Sequence, residues 1–249
     1  MPCKENFPSR PSHTGDTQDA LQVIAYIETD FPTKFGVPRQ SGLVNGLSAR
    51  VVFTPEYRNP DALRGLEGFS HIWLLWDFSL AHDGKPWRPT VRPPRLGGNR
   101  RMGVWATRSP FRPNHIGLSC VRVRSISLHT PLGPVIEVDG ADLVSGTPIL
   151  DIKPYLPYVD SHPEATGGFA QEQNERTKPL EVEMADPLVR LVPPEKRQAL
   201  NDILASDPRP HYQDNPARTY VLPFAEWEVS FRVSGGTLLV TDIKYVLSP

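Results

Sequence analysis

The most constraining feature of this chain is a series of short apolar runs of strand length, with few helical segments between them. Runs rich in β-branched and aromatic residues occupy 21–28, 47–53, 69–78, 118–128 and 135–144. The run at 69–78 is almost continuously apolar, which predicts a strand buried on both faces. Many strands with few helices are typical of a barrel or closed sheet, and closure leaves no exposed strand edge. We therefore expect a mainly β fold.

The pattern changes near residue 160. The segment 160–178 is polar and contains Gly and Pro, which indicates a linker. The segment 193–207 predicts the best helix of the chain, with one apolar face. The runs 226–233 and 237–246 are joined by Ser-Gly-Gly and predict a hairpin. The predicted organisation is a flexible tail at 1–20, a β-barrel domain at 21–165 and a small α+β domain at 166–249.

Composition and motifs exclude several classes of function. The chain has 27 Lys and Arg against 28 Asp and Glu, a net charge of −1, which argues against a wholly basic nucleic-acid binder. Its two cysteines, Cys3 and Cys120, support neither a disulfide framework nor a cysteine metal site. We expect a cytoplasmic protein without a membrane span or secretory signal. No Gly-x-Gly-x-x-Gly follows a strand and no histidine pair suggests a metal, so we expect neither the usual dinucleotide fold nor a metal site.

The segment 88–112 is rich in arginine, proline and glycine. Its prolines are incompatible with an ordinary helix or central strand. Arginine presents a planar, permanently charged fork that matches phosphate, and Trp87 and Trp105 are able to stack on bases. On composition alone, an RNA-contacting loop and a loop braced by acidic residues of the same domain remain open alternatives. The arginines of this segment are Arg88, Arg92, Arg95, Arg100, Arg101, Arg108 and Arg112.

Two further segments contain candidate ligand-binding residues. In 147–155, Asp151 and Lys153 alternate with apolar neighbours and therefore share one face. This pair is compatible with a plain surface ion pair and with the rim of a pocket. In 35–43, Arg39 and Gln40 follow Pro38 between two predicted strands, where a loop can offer amide groups to a ligand.

Six segments carry a resemblance to known proteins: KFGVPRQSGL, RGLEGFSHIWLLW, RPTVRPPRLGGN, GVWATRSPFRPNHIGLS, DLVSGTPILDIKPYLPY and DPRPHY. Taken in order, they resemble one family, the TrmO-like S-adenosylmethionine-dependent tRNA N6-methyltransferases. The resemblance extends roughly from Leu21 to Val246 and implies a catalytic domain built as a single-sheeted β-barrel. It also implies a homodimer with the cofactor near the subunit interface. The implied substrate is tRNA that carries N6-threonylcarbamoyladenosine at position 37, beside the anticodon.

The same resemblance implies a site for S-adenosylmethionine. Ser79 and Leu80 stand where the family often has His-Gln, Ser145 stands where Asp is common, and His115 replaces the more usual Pro. The implied cofactor contacts are Pro38, Arg39, Gln40, Ser79, Leu80, Arg108, Leu118, Asp142, Leu143, Val144 and Ser145.

The resemblance also leads to candidate RNA and catalytic residues. We expect the anticodon loop and the threonyl carboxylate to be held by Arg92, Arg95, Arg100, Arg112 and Asn114. The N6 proton has to leave, and Asp151, paired with Lys153, is the candidate to take it. Two rival functions remain: an RNA-binding β-barrel without catalysis, and a methyltransferase of another substrate. Binding of S-adenosylmethionine separates the first rival from an enzyme.

Overall fold

The computed structural model describes residues 21–81, 87–93, 100–176, 178–209 and 215–246. The predicted tail at 1–20 and the candidate Arg95 lie outside these residues. The mainly β class and the barrel predicted from the sequence are confirmed, because six antiparallel strands close on themselves. Their order around the barrel is β1 (Ala25–Glu28), β2 (Ser48–Phe53), β7 (Val135–Asp139), β6 (Ile116–Ser127), β3 (His71–Asp77) and β8 (Thr147–Pro154).

The strand β3 corrects one prediction. Ile72, Leu74 and Trp76 point into the barrel and are buried, whereas Trp73 and Leu75 on the outer face are only partly covered. The prediction that this strand is buried on both faces is wrong, because a closed barrel fills its interior with every second residue and leaves the other face outside.

A second, four-stranded sheet follows the barrel. Its order is β10 (Tyr220–Phe224), β11 (Trp227–Ser234), β12 (Thr237–Tyr245) and β9 (Glu181–Glu183). The strands β11 and β12 form the predicted hairpin, and β9 runs parallel to β12. The α-helices of the described residues are α1 (Pro157–Asp160), α2 (Gly168–Arg176), α3 (Asp186–Val189) and α4 (Pro194–Ala205).

The helix α4 covers this sheet with the apolar face that the sequence predicted. The side chains of Ala199, Leu200, Ile203 and Leu204 are almost completely buried in the second core. The helix α2 lies within the segment that was predicted to be a linker. The remaining short elements are the ribbon strands β4 (Thr90–Val91) and β5 (Met102–Gly103) and the 3₁₀ turns Pro55–Tyr57, Pro60–Leu63, Leu66–Gly68, Ser79–Ala81 and Val104–Ala106.

The segment between β1 and β2 leaves the barrel and packs into the second core. Phe31, Val44 and Leu47 are buried there among side chains of the four-stranded sheet. Beside this segment, Lys196 Nζ lies 2.6 Å and 2.7 Å from the two carboxylate oxygens of Asp30. The C-terminal core therefore anchors both ends of the segment that carries the predicted cofactor loop. This packing joins residues on the two sides of the predicted boundary at 165/166. The domain boundaries themselves stay a prediction.

Candidate functional site

A cavity of about 440 Å³ lies at one end of the barrel. Its wall is assembled from five parts of the chain: the loop before β2, the end of β3 with the turn after it, the loop before β6, the start of β6, and the loop between β7 and β8. Such an assembly follows from barrel closure, which brings the ends of non-sequential strands together. The lining includes Pro38, Arg39, Gln40, Ser79, Leu80, Arg108, Leu118, Asp142, Leu143 and Val144.

The cavity thus collects all of the predicted cofactor residues except Ser145. The Ser145 hydroxyl instead accepts a hydrogen bond from the Thr29 backbone N–H at 3.2 Å, and its own N–H donates to the Phe31 carbonyl at 2.8 Å. These two bonds turn Ser145 toward the segment after β1. The roles of the collected residues stay predictions, although their convergence from distant parts of the chain is a structural fact.

The floor of the cavity depends on Gly117 and Trp76, which the sequence analysis did not single out. The Trp76 indole lies so close to Gly117 that a Cβ atom there would approach its ring to 2.3 Å. Trp76 Nε1 donates to Ser119 Oγ at 3.0 Å, inside the barrel. Only glycine leaves room for the indole in this position, so the glycine of the His-Ile-Gly-Leu-Ser segment is explained by packing.

Asp142 is a largely buried carboxylate in the cavity lining. Ser119 Oγ donates to Asp142 Oδ1 at 2.5 Å, so Trp76, Ser119 and Asp142 form a continuous hydrogen-bonded chain. Burial raises the pKa of the Asp142 carboxyl above its ordinary value. The Ser119 hydrogen bond, backbone N–H groups and the positive charge of Arg108 oppose this rise but do not cancel it.

Arg108 and Gln40 join the two loops that flank the cavity mouth. The Arg108 guanidinium donates to Gln40 Oε1, although the two residues are far apart in sequence. The next residue, Ser41, accepts the Cys120 backbone N–H with its hydroxyl at 3.2 Å, which fixes the loop to β6. The loop that carries Pro38, Arg39 and Gln40 is therefore attached to the barrel as well as to the second core.

A wider groove of about 1,690 Å³ adjoins the cavity. The ribbon β4–β5, the turn after it and the start of α2 form its walls, and Phe169 of α2 contributes an aromatic side chain. Its described lining contains arginines and no acidic side chain. The arginines are Arg39, Arg88, Arg92, Arg101, Arg108 and Arg112.

The predicted RNA residues are only partly brought together. Arg92 and Arg112 line the groove, whereas Arg100 and Asn114 are exposed outside its lining. The RNA set proposed from the sequence did not include Arg88 and Arg101, which do line the groove. Their position in the arginine-rich segment was the available signal.

The predicted catalytic pair lies elsewhere. Asp151 and Lys153 form an ion pair at 2.8 Å on the outside of β8, and both side chains are well exposed. The prediction that they share one face agrees with this pair, but neither residue lines the cavity. A catalytic role for them stays a prediction without support from the position of the cavity.

The described residues contain neither a candidate metal site nor a candidate membrane span. No cluster of three or more His, Cys, Asp or Glu side chains there is arranged to hold a metal ion. None of the helices in that part of the chain combines the length and apolar character needed to cross a bilayer.

Comparison with known proteins gives matches along both halves of the chain. Residues 26–161 match the model of the tRNA-methyltransferase O N-terminal domain, and residues 177–246 match that of the TrmO C-terminal domain. The tRNA (adenine(37)-N6)-methyltransferase of Escherichia coli is 42% identical over 220 residues, which cover 86% of this chain and 93% of that protein. A Pseudomonas aeruginosa protein, named as an S-adenosylmethionine-dependent methyltransferase, is 40% identical over 210 residues, 81% of this chain and 87% of that protein. The crystal structure of TrmO from Pseudomonas aeruginosa superposes with a TM-score of 0.71 at 30% identity and covers 92% of this chain and 100% of that one.

Proposed function

The chain belongs to the tRNA-methyltransferase O family, and on that premise we propose its function. It is a tRNA (adenine(37)-N6)-methyltransferase that takes its methyl group from S-adenosylmethionine. Its substrate is tRNA in which adenosine 37 carries an N6-threonylcarbamoyl group. The observation that carries this proposal is a common wall between cavity and groove. The residues that line both are Arg39, Gln40, Arg108, Pro110 and Arg112.

The cavity fits S-adenosylmethionine in size and in lining. Its volume of about 440 Å³ lies within the range of about 300–1,000 Å³ that is typical of small-molecule sites. Leu80 and Leu118 supply exposed apolar surface for a base, and Asp142 supplies negative charge for a cationic ligand. When bound, the cofactor supplies an electrophilic methyl group on a positively charged sulfur.

The common wall holds the two reactants next to each other. Methyl transfer requires in-line alignment, and positioning of this kind can supply about 7–11 kcal/mol of a barrier. The hydrogen bond between Arg108 and Gln40 holds the two loops of the wall in a fixed relative position. Pro110 and Pro113 stiffen the chain on the groove side, which lowers the entropy lost when RNA binds.

The arginines of the groove bind the anionic parts of the RNA. The threonyl carboxylate of the modified base adds a negative charge that plain adenosine lacks. A charge-assisted hydrogen bond to it contributes about 1.5–3 kcal/mol. Arg39, Arg108 and Arg112 border both the groove and the cavity, so these three arginines are placed to reach that carboxylate.

We assign removal of the N6 proton to Asp142 rather than to the Asp151–Lys153 pair. Among the described residues, the carboxylates that line the cavity are Asp77 and Asp142, and burial raises the pKa of Asp142. A raised pKa makes a carboxylate a better base near neutral pH. The hydrogen bonds from Ser119 and from backbone N–H groups fix the orientation of the Asp142 carboxyl in the cavity wall.

The function is tested with two RNA oligonucleotides of one sequence, an anticodon stem-loop with threonylcarbamoyladenosine and the same stem-loop with adenosine. The purified protein and S-adenosylmethionine should methylate the first and leave the second essentially unchanged by mass spectrometry. A site built to pair a carboxylate rejects the analogue that lacks it. Gln40→Ala should lower the rate, while Gln198→Ala on the exposed face of α4 should not. No methylation of either RNA refutes the function, and equal rates on both refute carboxylate recognition.

The proton-accepting residue is tested by single-turnover rates across pH. Asp142→Asn should lower the rate about 10²–10⁴-fold and abolish the acid limb of the profile. Asp151→Asn serves as the matched control and should retain the wild-type profile. The assignment is refuted if Asp151→Asn loses activity while Asp142→Asn keeps the wild-type profile. Calorimetry of S-adenosylmethionine binding separates a loss of chemistry from a loss of binding.

The quaternary structure that we propose is a homodimer, and the compartment is the cytoplasm, where its tRNA substrate is found. Support for the dimer comes from the outer face of β3 and β6 beside the cavity, where Trp73, Leu75 and Leu118 present apolar surface. Light scattering should give twice the monomer mass for the wild type. Leu75→Glu should shift it toward the monomer, whereas Tyr158→Glu should not.

A further inference from the structure

Two exposed tryptophans stand at the wall of the groove. Trp105 is 66% exposed and Trp87 is 48% exposed, although large apolar side chains are usually covered. Their ring centroids lie 5.7 Å apart with an angle of 31° between the ring planes. The methyl-transfer site described above uses neither of them.

Backbone pairing holds these indoles in place. The ribbon pairs Thr90 with Gly103, and the Val104 N–H donates to the Pro89 carbonyl at 2.9 Å. Val104 is fully buried and anchors the 3₁₀ turn, so the next residue, Trp105, is directed outward. A pre-ordered aromatic surface loses little conformational entropy when it binds a ligand.

The charge around the tryptophans selects the kind of ligand. The Arg112 guanidinium carbon lies 5.6 Å from the Trp105 ring centroid, and further arginines line the same groove. The described lining contains no acidic side chain. Aromatic surface combined with positive charge is the arrangement with which proteins bind unpaired nucleotides, whose bases stack while phosphates meet the arginines.

We propose that Trp105, supported by Trp87 and Arg112, is a seat on which one unpaired nucleobase of the RNA stacks while a neighbouring nucleotide is methylated. The proposal rests on the function proposed above and adds a second base-binding site to it. The base lies on the tryptophan pair and not between the rings, because their spacing of 5.7 Å is less than twice the ~3.4 Å rise per base. A paired base cannot use this seat, since its faces are covered in the duplex.

The seat is tested by direct binding of the anticodon stem-loop to the full chain, measured by fluorescence anisotropy without cofactor. Trp105→Ala should weaken binding about 5- to 150-fold, the range expected for one lost base stack. Trp105→Phe keeps an aromatic face and should weaken it less. Tyr158→Ala, at an 82% exposed aromatic residue outside the groove lining, is the matched control and should bind like the wild type.

A second measurement locates the base. Abasic substitutions are placed one at a time in the loop of the oligonucleotide. One of these substitutions should weaken binding to the wild-type protein as much as Trp105→Ala weakens binding of the intact loop. The same substitution should not weaken binding to the Trp105→Ala protein any further. Quenching of tryptophan fluorescence by the intact loop should also be reduced in Trp105→Phe. Because phenylalanine preserves an aromatic side chain at this position, the variant keeps the test usable if Trp105→Ala does not fold.

Three results overturn the seat. The first is a Trp105→Ala variant that binds RNA like Tyr158→Ala. The second is an equal loss for every abasic position in both proteins. The third is a change of oligomeric state in Trp105→Ala, which would assign the tryptophans to a contact between two copies of the chain. Wild-type methylation of the modified stem-loop is measured in parallel, so a failure of the proposed function is recognised separately from a failure of the seat.

Discussion

Replacing Gly117 by alanine tests the packing that forms the floor of the cavity. The added Cβ would lie 2.3 Å, 2.4 Å and 2.5 Å from three atoms of the Trp76 indole. Carbon atoms in contact are normally about 3.5–4.0 Å apart, so the indole has to move. Trp76 is only 8% exposed and its Nε1 donates to Ser119 Oγ, so a movement breaks a buried hydrogen bond.

The expected loss of stability combines two effects. Overpacking of a filled core costs about 1–3 kcal/mol, and a lost intramolecular hydrogen bond adds about 0.5–1.5 kcal/mol. We expect Gly117→Ala to lower the free energy of unfolding by about 2–4 kcal/mol. Affinity for S-adenosylmethionine should also fall, because Gly117 and Trp76 both line the cavity.

The assay is urea unfolding with a double-mutant cycle. Gly68→Ala is the control, because a Cβ there meets no atom within 4 Å, and it should change stability by no more than about 0.5 kcal/mol. In the background of Trp76→Leu, the cost of Gly117→Ala should largely disappear, since the indole is gone. The reasoning is refuted if Gly117→Ala costs no more than Gly68→Ala, or if its cost is the same with and without Trp76.

Three further outcomes are expected. Burial raises the pKa of Asp142, so its contribution to the free energy of unfolding is present at acid pH and is lost as the pH rises through the folded-state pKa. The stability of the wild type minus that of Asp142→Asn should therefore fall from acid to neutral pH in urea titrations, and a constant difference would contradict this. Arg112→Ala should flatten the log–log salt dependence of tRNA binding by about 0.7–0.9, whereas an unchanged slope would identify Arg112 as an internal brace. Lys196→Met leaves the 15% exposed Asp30 carboxylate without this partner. It should cost about 1–3 kcal/mol of stability and weaken cofactor binding measured by calorimetry.

The elements that the sequence predicted well are those encoded by near neighbours. The helix α4 was predicted with its buried face because Leu200, Ile203 and Leu204 repeat with the helical period. The hairpin of β11 and β12 was predicted because Ser-Gly-Gly joins two runs of strand length. These patterns are local and do not depend on where the rest of the chain lies.

The structure brings most of the predicted cofactor residues to one cavity, while their role as cofactor contacts stays a prediction. The prediction came from contiguous segments such as Pro38-Arg39-Gln40, which carry the family resemblance. Periodicity alone offered no reason to place Arg39 beside Leu118 or Asp142.

The tertiary structure decided which polar residues share the cavity. Alternation put Asp151 and Lys153 on one face of β8, but only barrel closure determines that this face points away from the cavity. Asp142 acquires its raised pKa from burial, and its contact with Ser119 joins parts of the chain that the strand pairing brings together. The segment after β1 likewise reaches its place only through the second core, in which Phe31 is buried. Strand register and closure are set by all strands together, and a slip of one residue would exchange the inner and outer faces of a strand. The local sequence therefore specified the elements, while the composition of the site depended on contacts between distant segments.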